Sequence, residues 1–320
     1  MDFISIIRFV ATILITNSHF DSLYPPAYSV LSTGGMIGNA LFFFCSGYTL
    51  YLSLSKTKMN GFQWLLKRLI RLYPSIWLFR IFSWLLLGGT LSWINIIIPG
   101  YWFLNAIIIF YVVFYFVIKY CSKHIIWIMV GLIIPFISVF FLQIDRAPKY
   151  IMDDTSNYLC LHWFYLFAIM LFGAYLAKRK NIIISNNLDY IKLLISVVLY
   201  YGYKGILIKY GLWTPQLLYP LFLMPVVYYT YKVSNHIAQA KILKIKPIQS
   251  SVFYISNLTL DIYIVQFACI KFAKIYQFPI GFLVAIGLIA VSAMLLNYLS
   301  KHIVNFINAK LQLNKKEISK

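Results

Sequence analysis

The run "RFVATILITNSH" sets an arginine, Arg8, and a histidine, His19, at the two ends of an otherwise apolar stretch. A helix turns 100° per residue, so eleven steps return His19 to within about 20° of the face carrying Arg8, roughly 16 Å along the axis. Facing a bundle interior, the two line one passage from opposite ends. The same spacing also suits two side chains snorkelling from the ends of a membrane helix. Imidazole, with an ordinary pKa of about 6.5, is the natural proton acceptor at neutral pH. Further along, "FQWLLKRLIRLYP" brings Arg68 and Arg71 to i, i+3 on one helix face, with Lys67 next to them in the chain. Two guanidiniums so placed can grip phosphate bidentately, and they serve equally as anchors of an interfacial helix. Asp261, inside a late apolar run, is a functional candidate because a carboxylate in lipid is costly. A plain buried ion pair with Arg80 or Arg8 accounts for it as well.

The elements that must position these groups are membrane helices. The chain of 320 residues is 62% hydrophobic and 11% charged, with a mean hydropathy of +0.79. A soluble domain carries about a quarter charged residues, so the solvent for this surface must be lipid. The 26 Tyr and 8 Trp fit an interfacial aromatic belt. Apolar runs predict ten spans at about 3–20, 35–55, 72–88, 101–120, 125–144, 159–177, 191–208, 215–231, 252–273 and 280–298. The first is read as a retained helix, having no Ala-x-Ala-type cleavage site and exceeding a signal h-region.

The net charge of +20 would suggest nucleic acid in a soluble protein, but its distribution decides otherwise. Twenty of the 28 Lys and Arg fall in segments 56–71, 119–123, 178–192, 232–246 and 301–320, all on one side of the predicted spans. The positive-inside rule makes that side, and both termini, cytoplasmic. Cys45, Cys121, Cys160 and Cys269 lie within or at the ends of apolar stretches, with neither disulfide nor metal-ligand spacing. The expectation is an all-α integral membrane protein of about ten transmembrane helices. Residues 1–300 form one membrane domain and 301–320 a basic cytoplasmic tail.

Several motifs in order give the chain a resemblance to the acyltransferase-3 family, bacterial membrane-embedded O-acyltransferases that modify cell-surface glycans. They are Arg-x10-His (Arg8, His19), "GNALFFFCSGY" (Gly38 to Tyr48), "RLIRLYP" (Arg68 to Pro74), "WFL" opening the fourth span, and "SNLTLDIY" (Ser256 to Tyr263). The chain departs from the family's habits at Ala40, where an acidic residue is frequent, and at Gly100 and Gln266, where histidine is common. His19 is left as the principal candidate base.

The resemblance implies transfer of an acyl group, ordinarily acetyl from acetyl-CoA, to a hydroxyl of a capsule, O-antigen or other exported polysaccharide at a bacterial inner membrane. On that reading His19 acts as general base or transient acyl carrier near the outer end. Arg68, Arg71 and Lys67 meet the CoA phosphates, and Arg8 meets the donor or its pantetheine arm. Asn17, Ser18 or Ser46 could donate to the developing oxyanion, and His162 could border the glycan acceptor. No metal is implied, and the partners are the acyl-CoA donor, the glycan and the bilayer. The competing reading is a solute transporter or glycan flippase. Against it, Pro215, Pro220 and Pro225 in span eight have no counterpart in the first half, and no internal repeat is evident.

Overall fold

A computed structural model of the chain describes residues 2–56, 60–88, 97–142, 161–179, 186–212, 214–239 and 245–318. Among them the regular structure is helical throughout. The helices are α1 (Phe3–Ser18), α2 (Gly35–Lys56), α3 (Gly61–Leu87), α4 (Trp102–Cys121), α5 (Ile125–Gly131) and α6 (Ile133–Leu142). They continue with α7 (Leu161–Arg179), α8 (Leu188–Tyr210), α9 (Tyr219–Gln239), α10 (Lys246–Asn257), α11 (Thr259–Ala273) and α12 (Ile280–Ile318). Local chemistry marks several boundaries. The Asn60 side chain accepts from the Gln63 N–H at 2.9 Å and caps α3. Gly88 and Gly211, at φ 67° and 60°, end α3 and α8 in the left-handed conformation that glycine adopts without penalty.

Five helical stretches among the described residues are long and apolar enough to cross a bilayer: Pro26–Lys56, Trp102–Leu142, Leu161–Arg179, Leu188–Tyr210 and Ile280–Leu311. A sixth arises if α10 and α11 count as one span. These are five or six where the sequence leads to an expectation of ten, with 101–120 and 125–144 falling in the single stretch Trp102–Leu142, and two further spans differ in form. The span at 252–273 is no straight helix: it breaks at Leu258 and bends by 75°. Ser256, Asn257 and Thr259 crowd that point, and such side chains compete with the backbone for its hydrogen bonds. The span expected from Leu72 begins instead at Gly61, so Lys67, Arg68 and Arg71 ride on the same continuous helix that enters the apolar region. The Asp145, Arg146 and Lys149 expected on the outer side, and Cys160, lie outside the described residues.

The chain divides into two compact units. The first comprises Met1–Ile15, Gly34–Thr57 and Phe116–Ser256. Its dominant packing is α2 on α7, where backbones approach within side-chain distance. A Cβ at Gly47 would fall on the Met170 carbonyl, and one at Gly173 on the Phe44 carbonyl. Small residues are how membrane helices make such approaches, since lipid supplies no hydrophobic drive between them. Beside this seam, α9 packs on α8, tied by the Lys232–Asp189 ion pair at 2.9 Å. The fully buried Asp189 also accepts from the Asn186 N–H at 3.0 Å.

The second unit comprises Thr16–Thr33, Lys58–Tyr115 and Asn257–Lys320. Here α12 packs along α11 and α3, and α11 also meets α3. The Gly47 seam generates a direct expectation. Gly47→Ala should lower the stability of the purified protein by about 1–3 kcal/mol, the usual cost of overpacking, read as a lower melting temperature in detergent. Gly47→Leu should prevent recovery of folded protein; unaltered melting of either variant would contradict the seam.

Candidate functional site

His19 follows α1 directly. Its N–H bonds to the Thr16 carbonyl at 3.1 Å and that of Phe20 to the Asn17 carbonyl at 3.0 Å, so the helix tightens as it ends. Residues 17 to 33 then form a closed loop fastened by one side chain. The Asn17 amide donates to the Leu31 and Thr33 carbonyls, at 2.7 and 3.0 Å, and its Oδ1 accepts from the Tyr24 hydroxyl at 2.8 Å. Ser32 adds bonds to the Asn17 and Ser18 carbonyls at 3.1 Å each. Both N–H donors of Asn17 are therefore engaged, which makes it a support of the His19 loop and leaves it no donor for a substrate oxyanion.

The imidazole rests on an aromatic ledge. Its ring lies 4.5 Å from that of Phe267, which stacks on Tyr101 at 5.4 Å and 14°. Tyr101 meets Tyr263 edge-on at 5.9 Å, and Tyr263 contacts Phe103 at 4.9 Å. Phe267 is 37% exposed and His19 partly so. Among the described residues neither ring nitrogen of His19 is hydrogen-bonded or ion-paired. The ring is oriented by packing, and its nitrogens remain open to a proton from elsewhere.

Two neighbours of this ledge explain departures from the family pattern. Arg80 extends its guanidinium over Gly100, where a Cβ would meet Nη2, so a larger residue before Tyr101 requires the Arg80 side chain to move. Where histidine is common in the family, the space in this chain is taken by an arginine. Gln266, the other departure, is fully buried beside Phe267 in sequence, and neither its Nε2 nor its Oε1 has a hydrogen-bond partner. The sequence marks the position as a departure; only the structure shows that its amide is buried and unmet. An orphaned amide of this kind costs about 1–3 kcal/mol.

Asp261 is not ion-paired as the sequence suggested. Its Oδ1 accepts from the Ser75 hydroxyl at 2.8 Å and its Oδ2 from the Asn297 amide at 2.6 Å. Arg80 is taken up at Gly100, and Lys232–Asp189 is the ion pair among the described residues. Neutral donors can satisfy a buried carboxylate without bringing a second charge out of water.

The cationic run sits on α3. The Arg68 guanidinium lies 5.3 Å above the Trp64 ring one turn earlier, a cation–π contact. Trp64 is buried against Tyr111 and Tyr115 of α4, at 6.2 and 5.7 Å. Arg68 is half-buried, whereas Lys67 and Arg71 are exposed. The structure thus brings His19, Asn17, Asp261, Lys67, Arg68 and Arg71 into one compact unit, while Arg8, Ser46 and His162 belong to the other. Arg8 is half-buried on α1, Ser46 buried on α2 beside Gly47, and His162 half-buried in the first turn of α7. Elsewhere, His236 lies 3.1 Å from the Tyr190 hydroxyl through Nδ1.

Apolar helices of spanning length, buried carboxylates met by two partners each and an open imidazole on an aromatic ledge define an all-helical, multi-pass membrane protein with a candidate proton acceptor. The chain belongs to the acyltransferase-3 family: the family profile, described as an acyltransferase domain, matches residues 1–301. It is accordingly an acyl-transferring membrane enzyme. No curated protein and no solved structure matches it.

The orphaned amide yields a measurable consequence. Gln266→Leu, which fills similar volume without polar atoms, is expected to stabilise the ligand-free protein by about 1–3 kcal/mol, seen as a raised melting temperature. A lowered melting temperature would show that the amide is satisfied.

Proposed function

We propose that this enzyme moves an acetyl group from cytoplasmic acetyl-CoA to a hydroxyl of a cell-surface or exported polysaccharide at the bacterial inner membrane. The observation that carries the reading is the His19 imidazole, seated on Phe267 with both ring nitrogens unengaged among the described residues. A general base needs a nitrogen free to receive the hydroxyl proton as the nucleophile attacks. In the reaction His19 takes the proton of the acceptor hydroxyl while its oxygen attacks the thioester carbonyl. The tetrahedral intermediate collapses with cleavage of the C–S bond, and the proton passes from the imidazolium to the departing thiolate. Acetyl ester and free CoA result, with no net proton released.

The donor end has its own support. CoA is polyanionic, and Arg68 with Arg71 presents guanidiniums on one face of α3, with exposed Lys67 alongside in the chain. Trp64 holds the Arg68 guanidinium over its ring before any ligand arrives, which reduces the entropy lost on binding. Arg8, eleven residues before His19 and about three helical turns away along the chain, suits the pantetheine arm or the donor carbonyl. Gln266 offers one free donor and one free acceptor, the complement of the secondary amides along pantetheine. Ser18, next to His19 in the chain, stands as a hydroxyl donor for the oxyanion. The concentration of cations in segments such as 178–192 and 301–320 supports a cytoplasmic location for both termini.

The test is transfer of radiolabelled acetyl from acetyl-CoA to glycan by the purified protein in lipid nanodiscs. His19→Ala and the near-isosteric His19→Gln are expected to lose about 10²–10⁴-fold in rate while retaining acetyl-CoA binding. Arg68→Ala/Arg71→Ala is expected to weaken that binding by about tenfold or more. A His19→Ala protein that transfers at the parent rate would overturn the assignment of the base.

A further inference from the structure

Among the described residues no hydrogen bond holds the His19 ring, so its orientation is inherited from Phe267, and that of Phe267 from the rotation of α11. The apolar pattern alone fixes that rotation weakly. Asp261, Ile262, Tyr263, Ile264, Val265 and Gln266 are consecutive and all buried, and exposure along α11 begins only at Phe267, with Lys271 and Phe272 beyond it. Over the buried stretch no amphipathic stripe distinguishes one angle from another. Directional bonds fix it more sharply.

Asp261 supplies them. It is 2% exposed, and its two oxygens receive hydrogen bonds from two other helices, Ser75 of α3 at 2.8 Å and Asn297 of α12 at 2.6 Å. Ser75 and Asn297 stand 186 and 36 positions from Asp261 in the chain, so the bonds close only when all three helices are in register. Bonds to a carboxylate are about twice as strong as neutral ones. Rotating α11 by one residue would leave a buried carboxylate unsatisfied, at a cost far above that of reshuffling apolar contacts. Phe267 lies six residues further along the same helix, roughly 9 Å in rise.

We propose that Asp261 is a positioning residue for His19: the Ser75–Asp261–Asn297 clamp sets the rotation and register of α11 and thereby holds Phe267 beneath the imidazole. Its catalytic consequence rests on the role of His19 proposed above, but the geometry does not. Asp261 touches no reacting atom; it acts through the helix.

The experiment reads His19 itself. Full-length protein in lipid nanodiscs is treated with diethyl pyrocarbonate, and modification of each histidine is followed by peptide mass spectrometry. Asp261→Leu is expected to raise the rate at His19 by about threefold or more, with His124 and His302 unchanged, and Asp261→Asn to raise it less. The exchanged pair Asp261→Asn/Asn297→Asp rebuilds the same bonds with the carboxylate on the opposite helix and is expected to return His19 to near the parent rate, the signature of direct coupling. Should Asp261→Leu fail to fold, Asp261→Asn and the exchanged pair decide the matter. His19 reactivity unaltered by loss of the carboxylate, or left perturbed in the exchanged pair, would overturn the proposal. In transfer assays the single variants should lose kcat with the KM for acetyl-CoA retained. An enzyme inactive throughout, with reactivity shifts as described, would instead tell against the assigned chemistry and leave the clamp standing.

Discussion

An imidazole that nothing bonds must be aimed by what it leans on. In many hydrolytic sites a carboxylate fixes the histidine ring and its tautomer; at His19 that office falls to the face of Phe267. Packing of this kind aims a ring only as well as the helix beneath it is held. The loop on the other side is held too, since Asn17 commits its whole amide to closing residues 17 to 33. The candidate base is thus suspended between a side-chain-stapled loop and an aromatic ledge, with its nitrogens left for a substrate.

Lipid permits this arrangement and also constrains it. Helices that meet only lipid gain little from burying leucine against leucine, so close backbone approach at Gly47 and Gly173 and a few directed polar bonds determine which helix sits where. The carboxylates in those bonds are each met by two partners: Asp189 by Lys232 and Asn186, Asp261 by Ser75 and Asn297. Against that background the unengaged Gln266 amide stands out. The buried carboxylates are satisfied, whereas this buried amide is not.

Much of this is legible from residue types. The apolar runs locate the helices, because twenty residues without charge have no other stable home. The Arg-x10-His spacing and the "SGY" and "RLIRLYP" segments point to the family, and the profile match over residues 1–301 agrees. The glycine of "SGY" turns out to be a helix–helix contact. Whatever depends on partners distant in sequence is not legible. Asp261 suggests half of an ion pair because arginine is the commonest companion of a buried acid, yet a serine and an asparagine far along the chain satisfy it. Gly100 reads as a lost histidine, whereas Arg80 occupies the space a side chain would need. Gln266 reads only as a substituted histidine; that its amide is buried and unmet depends on its environment. The bend at Leu258 is hidden because hydropathy averages over polar residues that break a helix without making it less apolar.

The proposed transfer across the bilayer has a direction: donor on the cytoplasmic face, acceptor on the other. Sealed membrane vesicles of defined orientation, supplied with membrane-impermeant labelled acetyl-CoA in the surrounding medium, test it most directly. Inverted vesicles, which turn the cationic face outward, should incorporate acetyl into glycan, and right-side-out vesicles should not until they are permeabilised. Equal incorporation by both orientations without permeabilisation would contradict transfer across the bilayer.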